Sequence, residues 1–157
     1  MMITTAADST AHSPELAPEA NGSMGHFAAQ LIDAWNSHDM ERVARLYAPE
    51  YRGVDVGQSA QQQGTQGILQ MLSRYWSAFP DLTFTPEETI VHGNRVVLVW
   101  TARATHLGRL MNIPPTNRCV AFRGVSLLTV EGGKVWEAAY IWDVAGLLRS
   151  IGLLPEL

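Results

Sequence analysis

The sequence predicts one α+β domain, with helices in its first half and strands in its second. Apolar residues recur at helical spacing up to about residue 79 and then follow strand patterns. Gly93-Asn94 and Gly132-Gly133 mark tight turns between neighbouring strands. A chain of 157 residues, 46% of them hydrophobic, can build one core of ordinary size. We therefore expect a cone-shaped α+β barrel, with the N-terminal helices packed in the concave face of a curved antiparallel sheet.

Three helices are predicted before the sheet. The first has apolar residues at helical spacing over 27–35, and the second over 40–47, with Asp39 placed to cap it. The third covers 68–79 and ends before Pro80, which cannot continue a helix. These amphipathic patterns predict helices with one face buried against the sheet.

Strands and a closing helix account for most of the remaining chain. A short strand is expected between the second and third helices, and a final helix over 144–154 could close the open end of the cone. The strands are predicted at 51–56, 82–91, 96–104, 118–130 and 134–142.

The first 23 residues differ in composition from the rest of the chain. They are rich in Ala, Ser, Thr, Pro and Glu, so we expect a disordered extension over 1–23 and the folded domain over 24–157. The extension lacks Lys, Arg and a continuous apolar core, unlike a secretory or transit peptide. No apolar stretch reaches the roughly 20 residues that a membrane span needs. A cytoplasmic protein without a membrane partner is expected.

Charge and motif content argue against several classes of function. The net charge of −4 and dispersed basic residues give no surface for nucleic acid. One cysteine cannot form an intramolecular disulfide. The sequence has no phosphate-binding glycine motif and no pair of histidines at metal-ligand spacing. We therefore expect no cofactor and no metal.

The segment 105–120, THLGRLMNIPPTNRCV, is the most distinctive part of the chain. A Thr-His-x-Gly sequence ends one predicted strand, and Pro114 and Pro115 prevent regular structure after it. Asn117 then leads into the next strand. Ordinary packing does not require this order of residues, so the segment is interpreted as a shaped connection between two strands.

This segment resembles the SnoaL-like polyketide cyclases, which belong to the nuclear-transport-factor-2-like superfamily. Three family glycines are replaced here by Ala104, Asn112 and Asn117. Asn tolerates a left-handed backbone best among the other residues, so two of these replacements keep the expected geometry. The resemblance covers about residues 26–153 and includes three further segments: 34–39 (AWNSHD), 79–82 (FPDL) and 142–148 (WDVAGLL).

The resemblance implies a cofactor-independent enzyme that closes a ring in a polyketide-like substrate, as in antibiotic biosynthesis, by intramolecular aldol or related condensation. Asp143 matches the family's acid/base residue. An apolar pocket beside Ala139 and Ile141 would suit it as general base and then general acid. Alternatively, Asp143 only caps the following helix. His106 matches the Thr-His position, where it would stabilise developing negative charge or only hold its own loop.

Other polar residues are candidates for the substrate pocket. Arg103 and Arg123 lie on two strands that could line the cavity, where guanidinium groups would suit a substrate oxygen. Both could instead pair with Asp55 or Glu137 in a buried network. Asp55 itself occupies a region where the superfamily often has a polar pocket residue.

Aromatic residues could supply flat walls for a fused-ring ligand, although most at helical spacing are simply core. Trp100 and Trp136 are expected on the outer sheet face, where they would fit the homodimer interface that the resemblance implies. The candidates for the pocket walls are Tyr47, Tyr51, Trp76 and Phe79.

Two alternative functions remain open. Limonene epoxide hydrolases of the same superfamily use an Asp-Arg-Asp set, and Arg103 and Asp143 could match two of its members. Thr105 appears in place of the third. A protein of this fold that only binds a small molecule is the other alternative. The alternatives differ in whether Asp143 faces a closed apolar cavity or is solvated at a helix start.

Overall fold

The structure, a computed structural model, describes residues 18–156. Within that part the chain forms four helices and six strands. The helices are α1 (Pro18–Ser37), α2 (Met40–Ala44), α3 (Gly64–Ala78) and α4 (Val144–Ser150). The strands are β1 (Tyr47–Asp55), β2 (Gln62–Gln63), β3 (Thr83–His92), β4 (Arg95–Thr105), β5 (Cys119–Glu131) and β6 (Lys134–Trp142). None of the helices in residues 18–156 is long and apolar enough to cross a membrane.

The strands form one curved sheet in the order β2-β1-β6-β5-β4-β3. The predicted α+β class, with helices against the concave face, is confirmed. The expectation of a purely antiparallel sheet was wrong, because β1 pairs with β6 in parallel. These two strands are far apart in the sequence, so no hairpin turn imposes an antiparallel direction on them. The sheet also remains open, with β2 and β3 at its edges.

Alternation along the long strands separates an inner from an outer face. On β4 and β5 every second residue is buried, and these even-numbered residues form the inner face. Helix α1 contacts β4, and α4 contacts β5. Trp100 belongs to this inner set and is only 4% exposed, so its predicted position on the outer face was wrong. Trp136 is 36% exposed, in keeping with an outer position.

Several helix boundaries differ from the sequence interpretation: α3 begins at Gly64, before the predicted 68, and α4 ends at Ser150, before the predicted 154. Helix α2 ends at Ala44, and Tyr47 starts β1 instead of ending the helix. The backbone of Leu46 explains this, because its carbonyl accepts a hydrogen bond of 2.8 Å from Val135 N on β6. Helix α1 begins at Pro18 and so includes the last residues of the extension predicted over 1–23, while 1–17 lie outside the described residues.

The segment 34–39 attaches α1 to the edge strand β3. The amide of Asn36 donates to Phe84 O and accepts from Phe84 N, both at 2.8 Å, as a neighbouring strand would. His38 has a φ of 55° and its Nε2 lies 2.7 Å from Leu82 O. Asp39 caps α2 by accepting from two backbone N–H groups, as predicted from the sequence. The family-like segment therefore has a structural role here.

The loop from His106 to Arg118 is held against the C-terminal end of α3. Thr105 donates to the Asp81 carboxylate through its backbone N and its hydroxyl, each at 2.7 Å, and these bonds lower the pKa of Asp81. Leu107 N and Gly108 N both donate to Ala78 O at 3.0 Å. A side chain on Gly108 would collide with the Ser77 carbonyl oxygen, which explains why glycine follows Thr-His-x.

Two asparagines in this loop differ in conformation. Asn117 has a φ of 58°, the left-handed geometry expected for a residue that replaces glycine. Asn112 does not adopt it. The left-handed residue nearby is Met111, with a φ of 52°.

Candidate functional site

A small aromatic cavity lies between the helices and the inner face of the sheet. Its volume of about 40 Å³ leaves room for roughly three water molecules. Among its lining residues Asp55 alone has a side chain that is ordinarily charged at neutral pH. The wall is formed by Trp35, Asp55, Met71, Leu72, Tyr75, Leu82, Phe84, Trp100, Phe122, Tyr140 and Trp142.

Asp55 is buried at the end of β1, with only 4% of its surface exposed. Its Oδ1 accepts hydrogen bonds from Gly57 N at 2.7 Å and from Trp142 Nε1 at 2.9 Å. Its Oδ2 accepts from the hydroxyl of Tyr75 at 3.0 Å. Within residues 18–156 Asp55 forms no salt bridge. Three neutral donors therefore offset the cost of burying this carboxylate.

The two oxygens of Asp55 differ in how many further hydrogen bonds they can accept. A carboxylate oxygen has two lone pairs, and both lone pairs of Oδ1 have donors. Oδ2 has one donor, Tyr75, so one lone pair is left. This arrangement leaves Oδ2 able to accept a proton from a molecule in the cavity.

Buried phenols provide the other polar atoms of the site. Trp35 Nε1 donates to the hydroxyl of Tyr47 at 3.2 Å, and that hydroxyl lies 2.9 Å from the hydroxyl of Tyr140. Burial raises the pKa of Tyr47, Tyr140 and Tyr75 well above the ordinary value for tyrosine. These phenols therefore remain protonated at neutral pH and can act as hydrogen-bond donors.

Two glycines allow the aromatic wall to close around Asp55. A Cβ on Gly57 would lie 2.6 Å from a ring carbon of Trp142. A Cβ on Gly124 would lie 2.8 Å from the Cβ of Trp142 and would collide with the ring of Trp100. Side chains at these positions would displace the indole rings, because such separations are below van der Waals contact.

Asp143 lies outside the cavity, at the start of α4. Its Oδ1 accepts from Gly146 N at 2.7 Å, and the residue is exposed. The expected apolar surroundings are not found, since Ile141 on the same side of β6 is 49% exposed on the outer face. The geometry is that of a solvated N-cap, which the sequence analysis had weighed as the alternative.

His106 is fully buried in the loop and does not line the cavity. Its Nδ1 lies 3.0 Å from the Thr116 hydroxyl and 3.3 Å from Thr116 N. Its ring is 5.5 Å from that of Phe79, and its Nε2 has no partner within residues 18–156. Burial lowers the pKa of His106, so the neutral ring is favoured. These contacts fit the loop-holding alternative.

Arg103 and Arg123, predicted in the cavity wall, are exposed on the outer face of the sheet and do not line the cavity in this conformation. They are odd-numbered residues on strands whose even-numbered residues face inward. Arg123 pairs with Glu87, which raises the pKa of the guanidinium and lowers that of the carboxyl. It pairs with neither Asp55 nor Glu137.

The four predicted wall aromatics are buried but do not line the cavity. Tyr51 donates to Gln62 Oε1 at 2.7 Å, and Tyr47 belongs to the phenol chain behind Tyr140. Trp76 stacks on His38 with ring centroids 4.8 Å apart, while Phe79 packs on His106.

The residues that form the wall were mostly missed by the sequence interpretation. Trp100, Phe122, Tyr140 and Trp142 come from three adjacent strands and all have even numbers. Strand alternation could have found them, because each is in phase with buried aliphatic neighbours.

A larger and more polar groove adjoins the cavity, with a volume of about 640 Å³. Its wall includes α3 and the loops 57–60 and 109–112. Tyr75 lines both spaces, and Gly57, whose N donates to Asp55, also lines the groove.

Solved structures share this architecture. IdmH from Streptomyces antibioticus, a candidate polyketide cyclase, is 26% identical, with 82% of this chain and 97% of that chain covered and a TM-score of 0.72. AclR from Streptomyces galilaeus, a candidate hydroxylase, is 24% identical, with coverage of 87% and 85% and a TM-score of 0.77. A protein from Catenulispora acidiphila with a ketosteroid isomerase-like fold, in complex with trimethylamine, is 16% identical, with coverage of 82% and 93% and a TM-score of 0.71.

Comparison with the curated proteins found no significant match. The sequence profile of the SnoaL-like polyketide cyclases matches residues 26–151, which include the cavity, the loop after β4 and all of α4. The match spans most of the chain and agrees with the architecture of its structural neighbours. The chain belongs to the SnoaL-like polyketide cyclase family.

Proposed function

We propose that this protein closes a ring in a polyketide-like substrate by intramolecular aldol condensation, with Asp55 as the group that takes and returns the proton. The observation that carries the proposal is the buried carboxylate of Asp55 in an otherwise apolar and aromatic wall. Family membership supports the reaction class. A base in such a place is shielded from water, which strengthens its interactions with a bound substrate.

The proposed step begins when Asp55 Oδ2 removes a proton from a carbon next to a substrate carbonyl. The electron pair of that C–H bond forms an enolate, which attacks a second carbonyl of the same molecule and makes the new C–C bond. The resulting alkoxide takes the proton back from Asp55, so the carboxylate is regenerated. The hydroxyl of Tyr75, which remains protonated, donates to Asp55 Oδ2 in this conformation. Once Oδ2 has taken the proton, we propose that this hydroxyl turns to donate to the developing oxyanion.

The substrate needs more space than the cavity provides in this conformation. Sites for drug-sized ligands have volumes of roughly 300 to 1,000 Å³, against about 40 Å³ here. We propose that the substrate occupies both the cavity and the adjoining groove, and that Tyr75 moves to join them. Holding both reacting carbons in one pocket would then supply much of the rate.

Asp143 remains a second candidate for the base, because it matches the family's position. Its exposed side chain and its bond to Gly146 N favour a capping role. His106 has no access to the cavity wall in this conformation, so its catalytic role also requires a rearrangement.

The test is ring closure of an anthraquinone-type β-keto ester, followed by liquid chromatography and mass spectrometry. Wild type, Asp55→Asn and Asp143→Asn are compared at equal concentration. We expect Asp55→Asn to lower turnover by about 10² to 10⁴, the usual loss for a general base, and Asp143→Asn to stay near wild type. Thermal melting checks that both variants are folded.

The reverse result, with loss only in Asp143→Asn, would assign the base to Asp143 and refute the role of Asp55. If wild type binds the ester but turns over none of it, the non-catalytic binding alternative is the better account. An epoxide hydrolase reaction has less structural support, since Arg103 is exposed on the outer face and forms no salt bridge with Asp143.

We also propose that the protein forms a homodimer across the outer face of the sheet. Val54, Ile90 and Ile141 on this face are each about half exposed. Trp136, which is on β6 like Ile141, is also exposed. Ile141→Asp is expected to shift the mass measured by light scattering from dimer to monomer. Leu153→Asp, an exposed apolar position beyond α4, is the matched control. A wild-type monomer would refute this proposal.

A further inference from the structure

The groove beside the cavity carries positive charge without a compensating acid. Arg74 on α3 and Arg109 in the loop after β4 both line it. Neither forms a salt bridge within the described part of the chain, and the groove lining contains no Asp or Glu. Arg45, Arg52 and Arg123 pair with glutamates, whereas Arg74 and Arg109 are among the arginines of the described residues that do not.

The arginines are supplied by two separate segments that meet at the groove. Arg74 Nη1 donates to Gln58 Oε1 at 3.0 Å, so a neutral amide holds this side chain without cancelling its charge. Arg109 follows Gly108, whose N donates to Ala78 O at 3.0 Å and fixes the start of that loop against α3. Both residues are exposed and can reach a ligand from solution.

The position of the groove connects it with the proposed reaction. Tyr75 lines the groove and also donates to Asp55 in the cavity. Ser59, Ser73 and Asn112 add neutral polar groups to the groove wall, whereas the cavity wall is largely aromatic and aliphatic. A ligand that spans both spaces would place an apolar part near Asp55 and a polar part near the arginines.

We propose that the groove binds a carboxylate carried by the substrate, and that Arg74 and Arg109 together select for it. Binding of the carboxylate does not depend on the proposed function; only the ring closure that would follow binding rests on it. The planar guanidinium fork matches the two oxygens of a carboxylate, and two forks from different segments can hold one anion. The substrate class is therefore an aromatic polyketide acid whose ring system enters the cavity.

Binding of a matched ligand pair tests this inference without any need for turnover. Anthraquinone-2-carboxylate and its methyl ester have the same rings and differ in charge. Titration calorimetry would measure both ligands on wild type, Arg74→Gln, Arg109→Gln and the double variant. We expect wild type to bind the acid about tenfold more tightly than the ester, with a preference that decreases as salt rises. The double variant should bind both ligands equally.

Control variants separate this selection from net charge and from catalysis. Arg45→Gln removes one positive charge at the C-cap of α2, outside the groove lining, and should keep the preference for the acid. Asp55→Asn should also keep it, even if turnover is lost. A preference that survives in the double variant would overturn the proposal, as would an equal affinity of wild type for both ligands.

A third ligand identifies the anion. Naphthyl phosphate, beside naphthoate, tests whether the arginines prefer a phosphate monoester to a carboxylate. Tighter binding of naphthoate supports the assignment. Tighter binding of the phosphate that is lost in the double variant would overturn the carboxylate and identify a phosphate site instead.

Discussion

Asp55 and Asp143 occupy similar places in the sheet but have opposite surroundings. Asp55 ends β1 and Asp143 follows β6. Because these neighbouring strands run parallel, both residues are at the same end of the sheet. Asp55 is 4% exposed and accepts hydrogen bonds from three donors in the cavity wall. Asp143 is exposed and caps a helix.

The difference shows that the position of an acid in the chain is a weaker guide to its chemistry than its phase along the strand. Asp55 is in phase with the buried residues Tyr51 and Gly53. Asp143 is in phase with Ile141, which is half exposed on the outer face. Because successive side chains alternate between the faces, a shift of one residue decides between a cavity and solvent.

Asp55→Ala is the substitution expected to change stability most. Removal of the carboxylate leaves Trp142 Nε1 buried without its acceptor, and Gly57 N and the Tyr75 hydroxyl half-buried without theirs. A buried unsatisfied donor costs about 1 to 3 kcal/mol and a half-buried one costs less, so we expect a loss of about 2 to 4 kcal/mol in the free energy of unfolding. Urea denaturation would measure it. A loss no larger than that of Asp143→Ala would show that the two carboxylates do not differ as described.

Asp143→Ala should have a smaller effect of about 1 kcal/mol, because the N-cap of α4 is lost. Asp143→Asn is its control, since asparagine caps helices about as well and should change stability by only a few tenths of a kcal/mol. Thermal or urea unfolding of both variants would compare them. Equal losses for Ala and Asn would argue that the charge of Asp143, not its capping bond, stabilises the fold.

His106 extends the comparison to the second predicted catalytic residue and should have a pH-dependent effect. Burial lowers its pKa in the folded state below its ordinary value of about 6.5. The unfolded chain therefore binds a proton first as the pH falls. This contribution to stability is complete above about pH 6.5 and is lost as the pH falls from there towards the lowered pKa.

Melting temperatures between pH 7.5 and pH 5 would measure the contribution of His106. We expect the melting temperature to fall on acidification, and to fall less in His106→Gln than in wild type. His92→Gln, an exposed histidine on β3, is the control and should follow the wild-type profile. Identical profiles for wild type and His106→Gln would show that His106 does not titrate as inferred.

Much of the fold could be predicted from the sequence because local patterns determine most of its elements. The helices before the sheet and the long strands of its second half follow apolar periodicity, and the hairpin turns follow their glycines. The parallel pairing of β1 with β6 could not be read this way, since no local signal links strands so far apart. The shortened α2 depends on the same pairing, through Val135 N and Leu46 O.

The candidate site was less accessible to sequence reasoning. Motif matching selected Asp143 and His106, which the structure places at a helix start and in a tightly bonded loop. The interpretation of the strands placed Arg103 and Arg123 inward, although both follow the outer phase of their strands. The wall around Asp55 is made by side chains from many elements. Its indole rings can pack this tightly because Gly57 and Gly124 carry no side chain. Such three-dimensional convergence has no short sequence signature.

The parallel pairing of β1 with β6 also affects when the site appears during folding. Asp55 and Trp142 are 87 residues apart in the chain, and their bond forms only when the two strands meet. Closing so long a loop carries a large entropic cost, and contacts of this kind slow folding. Strands β3 and β4, and likewise β5 and β6, are joined by tight turns, and β4 and β5 by the loop 106–118, so these pairings close much shorter loops and can form earlier. A nascent chain would thus hold most of its sheet before Asp55 reaches the cavity.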